Sequence, residues 1–509
     1  MIHYVAIIMG IFLLLSVLRI VSNMARSYMN LQFYRKQGAK IHYSPLLGFY
    51  DLFEKKHKEN KKYSNLELIM HKAHKEGSEK GIIAVNQPLN PGCSILIYTS
   101  ELAKDLLIQE RHFIKNVIIE DLVPITGFFY QNGDKAMNRK ANFGRIFSFE
   151  KVESVQNTLA GLIHNFIKNF NARNGISKEK FTTISLNDFL VPLQAALANF
   201  IITGEVNPDI PLQIKELNSL VMELYHESFN SIQNPFFIFF PEVCRALKLT
   251  HFYRVFGKLY HKQLAIIKKM MKDHENKKEL GDCIMDRVVL HNRKCEENGD
   301  LDNKLTMDEA LGAYNLFYFA GTDTTMASTS AMICHMSDKK HLQQVLEKVN
   351  SEVYDENGQT TKDLIDNNED LDLFVKEVLR LFTPLQYQQE RVATKDVNLG
   401  KYTVKKGDRV FLMMFGMHMD ADYYEDPYTF KPDRFTKEND KDRPKYQYLP
   451  FSMGKRICPG RHLGALMVKM LLTQFIKNYE LERPEGQEYY HFNMLTARVE
   501  SPLVNIRSK

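Results

Sequence analysis

Cys458 lies in the run Phe451-Ser-Met-Gly-Lys-Arg-Ile-Cys-Pro-Gly460, just ahead of a segment patterned as a helix. Gly454 and Gly460 permit tight turns, so backbone N–H groups can face the sulfur. A thiol at a helix N-terminus, with Arg456 and Arg461 close in sequence, is biased towards thiolate. One thiolate among amide donors suits a soft axial ligand to iron, tuned by hydrogen bonds to sulfur. A lone cysteine is more often a small buried hydrophobe; the flanking pattern, rather than the thiol, carries the reading.

A second constellation lies upstream. Thr306 followed by Glu309 is a capping-box start, and apolar texture then runs to about Met336. The middle of that long helix reads Ala320-Gly-Thr-Asp-Thr-Thr325. Gly costs about 1 kcal/mol relative to Ala in a helix interior, and Thr and Asp are weak helix formers. Alone, such a run is more often a loop or cap. Set mid-helix with a carboxylate among apolar residues, it breaks local rules where function is expected to break them. Thr324 can give its hydroxyl to the i−4 carbonyl, loosening the ladder and opening a groove for water or dioxygen. Glu377-Val-Leu-Arg380 puts acid and base one turn apart, by itself an ordinary pair worth a few tenths of a kcal/mol. Phe430-Lys-Pro-Asp-Arg-Phe435 follows it before the cysteine loop.

The elements that must hold these residues are mostly helices. Leu463, Met467, Met470, Leu471 and Phe475 form one stripe after the cysteine, and residues 151–294 recur at three- and four-residue intervals. Residues 82–85, 94–98, 397–400, 402–404 and 409–414 read as short strands. The two prolines and four phenylalanines of 234–241 make a hydrophobic loop. No linker or repeat divides the 509 residues, so one large, mainly helical domain is expected. Six scattered cysteines indicate neither a disulfide framework nor a zinc site and fit a reducing cytosol. A net charge of +6 over this length argues against nucleic acid as a partner. Residues 4–18 are uncharged and apolar, and Arg19 can snorkel. Arg26, Arg35, Lys36 and Lys40 beyond them place that side in the cytosol. The expected division is a membrane anchor at 1–22, a basic linker at 23–44 and a catalytic domain at 45–509.

The pattern Phe-x-x-Gly-x-Arg-x-Cys-x-Gly, filled by Phe451, Gly454, Arg456, Cys458 and Gly460, resembles the haem-binding loop of the cytochrome P-450 family. Ala320, Gly321, Asp323 and Thr324 match the family's Ala/Gly-Gly-x-Asp/Glu-Thr signature. Glu377 and Arg380, followed by Pro432, Arg434 and Phe435, match its Glu-x-x-Arg pair and Pro-x-Arg-Phe segment. The resemblance covers essentially the whole chain after the anchor. It implies the cytochrome P-450 fold, mainly α with small β-sheets (α+β), around haem b (iron protoporphyrin IX) ligated by Cys458. It implies that Asp323 relays protons from water and that Thr324 helps the O–O bond cleave heterolytically. Arg434 would bridge Glu377 and Arg380. Arg391 and Arg456 would hold the haem propionates. At the third propionate site, the family's Trp-x-x-x-Arg is represented by Ala136 and Lys140, and the chain has no tryptophan. Arg139 or Lys140 would serve there.

The activity so implied is a monooxygenase acting on a fatty acid, sterol or xenobiotic at the endoplasmic reticulum membrane, facing the cytosol. No Gly-x-Gly-x-x-Gly follows a strand, so electrons would come from a separate NADPH–cytochrome reductase or a cytochrome b-type donor. Lys135, Arg139, Lys140, Arg145, Lys455, Arg461 and Lys469 would form a basic docking face for that donor. By analogy the pocket is lined from 118–129, 200–202, 317–320, 385–389 and 495–496, with Gln386, Gln388 and Gln389 available to a polar end of the substrate. Two rivals remain: a peroxide isomerase or dehydratase that uses no dioxygen, and a non-enzymatic haem-thiolate sensor or carrier.

Overall fold

The computed structural model describes residues 2–44, 81–87, 92–115, 131–206, 212–233, 243, 246–248, 251–353, 368–388, 390–493 and 496–509. The expected hydrophobic loop at 234–241, the pocket stretch at 118–129, Gln389 and Leu495 lie outside them.

The long helix Met307–Ser337 runs through the middle of the molecule. It starts as its capping box dictates: Glu309 N donates to Thr306 Oγ1 at 3.2 Å, and Thr306 N donates to Glu309 Oε2 at 3.0 Å. Most of its side chains are buried all round, the mark of a core helix rather than a surface one. It packs on Leu186–Thr203 and on Arg461–Asn478, the helix that follows the cysteine. One core cluster joins Met332 to Phe189, Phe374, Leu471 and Phe475. A second joins Tyr314 and Phe319 to Leu217, Ile267 and Ile284, and Tyr225 stacks on Phe319 with ring centroids 3.9 Å apart.

A six-stranded sheet flanks this body, ordered Lys40–His42, Ile82–Asn86, Cys93–Ile97, Arg409–Leu412, Arg391–Ala393, Phe113–Lys115. Ile83 pairs with Leu96, and Leu96 with Phe411. The strands expected near 82, 94 and 409 are therefore present, each within a residue or two. The last ends at Leu412, and Met414–His418 is a helical turn. Arg391–Ala393 was not anticipated; three residues carry no readable alternation.

The N-terminal helix spans Ile2–Lys36 without a break. Leu14, Val17, Leu18 and Val21 are exposed on it, whereas Leu31 and Tyr34 are fully buried against the sheet. Lys40–His42 then pairs in parallel with Ile82–Asn86. Residues 27–42 of the expected linker are thus built into the domain.

Glu377 and Arg380 are fully buried and joined by two bonds of 2.7 Å. Arg380 also donates to His418 O at 2.9 Å and Pro427 O at 2.7 Å. Arg434 donates to Glu377 Oε1 at 3.3 Å and to the carbonyls of Asp426 and Thr429. The expected bridge is corrected in one respect: Arg434 meets the carboxylate, not Arg380, since two guanidinium groups repel. His418 accepts from Leu449 N at 3.0 Å, and burial, then the Arg380 charge, push its pKa down to about 3.

Candidate functional site

The cysteine loop folds from its glycines and from one reach back across itself. Cys458 N donates to Phe451 O at 3.0 Å, closing the turn. Gly454 has φ +75°, and a Cβ there would sit 3.0 Å from Glu110 Oε2 and 3.3 Å from Leu107 Cδ2. Both conformation and space demand glycine. Gly460 is not left-handed; it caps Arg461–Asn478, and its amide faces the sulfur. Phe451 lies over Gly464, where an added Cβ would come within 3.5 Å of the ring. Ser452, itself at φ +61°, is held by Gln388, whose Nε2 donates to Ser452 Oγ at 2.5 Å. Gln388 therefore supports the loop rather than facing a substrate.

The thiol itself departs from expectation. Burial raises the Cys458 pKa above the usual thiol value, against the opposing pull of the Gly460 amide, Lys140 and Arg461. Desolvation outweighs the helix terminus, so a bound cation is needed to hold the thiolate.

Beside it, Lys115, Lys140, Arg391 and Arg456 converge from a strand, a helix, a second strand and the loop. Arg391 Nη1 donates to Glu110 Oε1 at 2.9 Å, Lys140 Nζ to Lys455 O at 2.6 Å, and Arg456 Nη2 to Gln131 O at 2.8 Å. Asn132 fixes the Lys115 backbone through bonds of 2.8 and 3.2 Å. Burial, then Arg456, lowers the Lys140 pKa to about 8. Burial, then Arg456, Arg391 and Lys140, pulls Lys115 well below the ordinary lysine value. Among the described residues, Glu110 is the carboxylate set among these four cations. A surplus of buried positive charge next to a thiol fits a dianionic iron porphyrin: the sulfur would take the metal and the cations its propionates. Lys115 and Glu110 escaped sequence reading, because a lone lysine on a three-residue strand gives no signal.

Arg139 goes elsewhere. It forms an ion pair with Glu309 at the start of the central helix and donates to Gln131 Oε1 at 2.9 Å. Of the two candidates for the third propionate position, only Lys140 joins the cluster. Lys469 is likewise paired with Asp372 and buried, so Arg139 and Lys469 leave the expected basic face. Arg145 and Lys455 stay exposed.

On the central helix, Thr324 Oγ1 donates to Ala320 O at 2.8 Å and Thr322 Oγ1 to Tyr318 O at 2.8 Å. Both take the expected i−4 back-bond, within a helix that stays continuous from Met307 to Ser337. Ala320 and Gly321 are exposed in the middle of an otherwise buried helix, so this turn faces open space. Asp323 is buried, accepts from Thr496 Oγ1 at 2.6 Å, and forms an ion pair with Arg498. Arg498 also donates to Thr496 at 3.3 Å. These partners come from the hairpin of Tyr490–Asn493 with Ala497–Glu500, 173 residues on from Asp323 for Thr496. No sequence spacing could connect them. The helix can thus hold a proton-exchanging carboxyl at Asp323 and, with the Thr324 proton given to Ala320 O, a hydroxyl acceptor at Thr324 in one turn, on the body against which the helix after the cysteine packs.

The family model described as Cytochrome P450 matches residues 62–500. Among curated proteins, the chain is 28% identical over 218 residues to Cytochrome P450 3A28 of Bos taurus, covering 42% of each chain. It is 33% identical over 200 residues to Cytochrome P450 6d3 of Musca domestica, covering 38% of each. It is 24% identical to Cytochrome P450 3A40 of Oryzias latipes, covering 59% of this chain and 66% of that one. The matches span less than two thirds of these relatives' lengths. The crystal structure of the cytochrome P450DA heme domain superposes with a TM-score of 0.76 at 16% identity, covering 92% of this chain and 97% of the other. Retinoic acid bound cyanobacterial CYP120A1 superposes with a TM-score of 0.72 at 19% identity, covering 92% and 99%. At these identities the superpositions establish the fold.

Proposed function

This chain belongs to the cytochrome P450 family, and from that membership we propose that it is a haem-thiolate monooxygenase that inserts one atom of dioxygen into a lipophilic organic substrate. The observation that carries the proposal is the pairing of two half-sites. Cys458 sits beside Lys140, which clusters with Arg391, Arg456 and Lys115, and the central helix carries Asp323 and Thr324 at its open turn. When bound, haem supplies the iron at which dioxygen is reduced, with the cysteinate donating electron density towards O–O cleavage.

The chain's own residues do the rest. Gly454 and Gly460 shape the loop that presents the sulfur, and the Gly460 amide bonds to it. Asp323 takes a proton from water and passes it towards the open turn, while Thr324 Oγ1 orients the donor there. The apolar walls around Phe319 exclude bulk water, and with it wasteful proton delivery. A substrate of fatty acid, sterol or xenobiotic type suits that lining. Electrons would come from a separate NADPH-dependent reductase docking near Arg145 and Lys455. The exposed apolar side chains at 14, 17, 18 and 21, with Arg26, Arg35 and Lys36 exposed beyond them, support an anchor in the endoplasmic reticulum membrane with the domain in the cytosol. Survival of the Asp323–Thr324 pair disfavours a peroxide isomerase, which does without proton relay.

The test is optical. Reduced, CO-bound protein should show the shifted Soret band of a thiolate haem, and Cys458→Ala should abolish it; a wild-type spectrum without that band sinks the reading. Spin-shift titration against a lipid panel, followed by NADPH oxidation with added reductase, then identifies the substrate class.

A further inference from the structure

The connection between helices His251–Glu275 and Ile284–Glu297 gathers His274, Cys283 and Asp286, and we propose that these three side chains bind a divalent metal of the zinc class. Their imidazole nitrogen, thiol sulfur and carboxylate oxygen all lie within 4.8 Å of one another. His274 and Asp286 are each 3% exposed and Cys283 8%, so the set is closed off from bulk water. Zinc takes sulfur, imidazole and carboxylate ligands together, whereas magnesium and calcium prefer all-oxygen sets.

The hydrogen bonds around the cluster are those of a ligand set awaiting a cation. His274 Nδ1 lies 2.6 Å from Asp286 Oδ1 and 3.0 Å from Lys277 Nζ. That single nitrogen cannot both donate to the carboxylate and accept from the ammonium. A cation seated among the three groups would take one lone pair from each and remove that conflict. The remaining oxygen of Asp286 accepts from Gly281 N at 2.8 Å, and Asp286 N donates to Cys283 Sγ at 3.4 Å. Backbone donors thus orient both anionic ligands from behind, as outer partners do in metal sites. Cys283 is also the N-cap of a 14-residue helix, although burial, with the Asp286 charge, holds the free thiol above its usual pKa, so the metal itself must displace the proton. Lys277 Nζ stands 3.5 Å from Asp286 Oδ1 on a side chain 38% exposed. It already holds the place of a positive charge and can withdraw to solvent as the metal enters. Binding releases the Cys283 thiol proton, leaving the metal on a thiolate, a carboxylate and a neutral imidazole, three protein ligands with the fourth position open.

The metal would brace the fold locally. Ile284 and Met285 on one side and Met270 and Met271 on the other belong to the same core cluster, so a bond across the turn pins two helices of the core together. The site is independent of the haem-thiolate reading, and either can fail alone.

The test uses the full-length holoprotein, stripped with chelator and re-equilibrated with zinc. Metal analysis should find about one zinc per chain after removal of excess. Cys283→Ser and His274→Gln should each weaken binding about tenfold or more, with haem content and the CO spectrum unchanged as a check on folding. X-ray absorption at the zinc edge should show one sulfur at about 2.3 Å. Zinc should raise the Tm of the wild type and not of the double variant. Zinc uptake no greater than that of the double variant, or bound zinc without a sulfur neighbour, overturns the proposal.

Discussion

Arg498 closes its guanidinium on the carboxylate of Asp323, tying the C-terminal hairpin to the middle of the central helix, while Thr496 donates to the other oxygen at 2.6 Å. Asp323 is 2% exposed, so the pair holds a charge where an isolated carboxylate would be costly. The acid nearest the open turn is therefore positioned by residues that lie far away in sequence.

Asp323→Asn should lower kcat by about 10²-fold, the usual span of a lost proton carrier, while leaving the substrate-induced spin shift intact. Thr324→Ala should raise hydrogen peroxide release per NADPH consumed. Arg498→Ala leaves a buried carboxylate without its cation, so the yield of folded, haem-loaded protein should fall. Unchanged coupling in Thr324→Ala removes that residue from the proton path.

Lys115→Met should act with opposite sign on the two forms of the protein. Without haem it removes an ammonium that burial first, and the Arg456, Arg391 and Lys140 charges after it, hold well below the ordinary lysine value, so the apoprotein's Tm should not fall. With haem it deletes a cation from the propionate side, and loss of one charge-assisted bond of about 1.5 kcal/mol makes haem dissociation about tenfold faster. Transfer of haem to apomyoglobin measures the second effect. A lower apoprotein Tm with unchanged haem loss would place Lys115 in the scaffold instead.

Glu377→Ala leaves Arg380 and Arg434 buried without their carboxylate. Breaking a buried pair in this way costs about 3–5 kcal/mol. Expression should yield little or no haem-loaded protein, whereas Glu377→Gln keeps the hydrogen bonds to Arg380 in part and should fall between. Haem per chain in the soluble fraction is the readout.

His418 is buried in its neutral form, with a folded pKa of about 3 set by burial and then by Arg380. Its unfolded pKa is about 6.5, so the unfolded chain binds the extra proton between those values. Stability from this group is complete above pH 6.5 and is lost as pH falls towards 3, at up to about 1.4 kcal/mol per pH unit. Gln at this position still accepts from Leu449 N and does not titrate. The Tm of His418→Gln should fall less steeply than wild type from pH 6.5 to 4.5; parallel curves would refute the assignment.

Local chemistry was legible where it is written in adjacent residues. The capping box at Thr306 and Glu309 started the central helix where it was expected, because both partners lie within one turn. The Thr324 back-bond to Ala320 followed from the same i−4 geometry. The strands near 82, 94 and 409 were marked by β-branched and apolar runs between turn residues. Arg391–Ala393 and Phe113–Lys115, too short to show a period, were not.

The sequence by itself determined the glycine-flanked loop at Cys458, the acid–alcohol turn at Asp323 and Thr324, and the Glu377–Arg380 pair, since each is a short run whose backbone brings its own members together. Tertiary structure alone decided which distant groups surround them. It assigned Arg139 to Glu309 and Lys140 to the cationic cluster, although the two are neighbours, because successive residues on a helix point about 100° apart. It brought Lys115 to Arg456, Arg391 and Lys140, and Arg498 to Asp323. It also let burial outweigh the helix terminus at Cys458, because desolvation depends on what packs around a group, and no short window of sequence contains that.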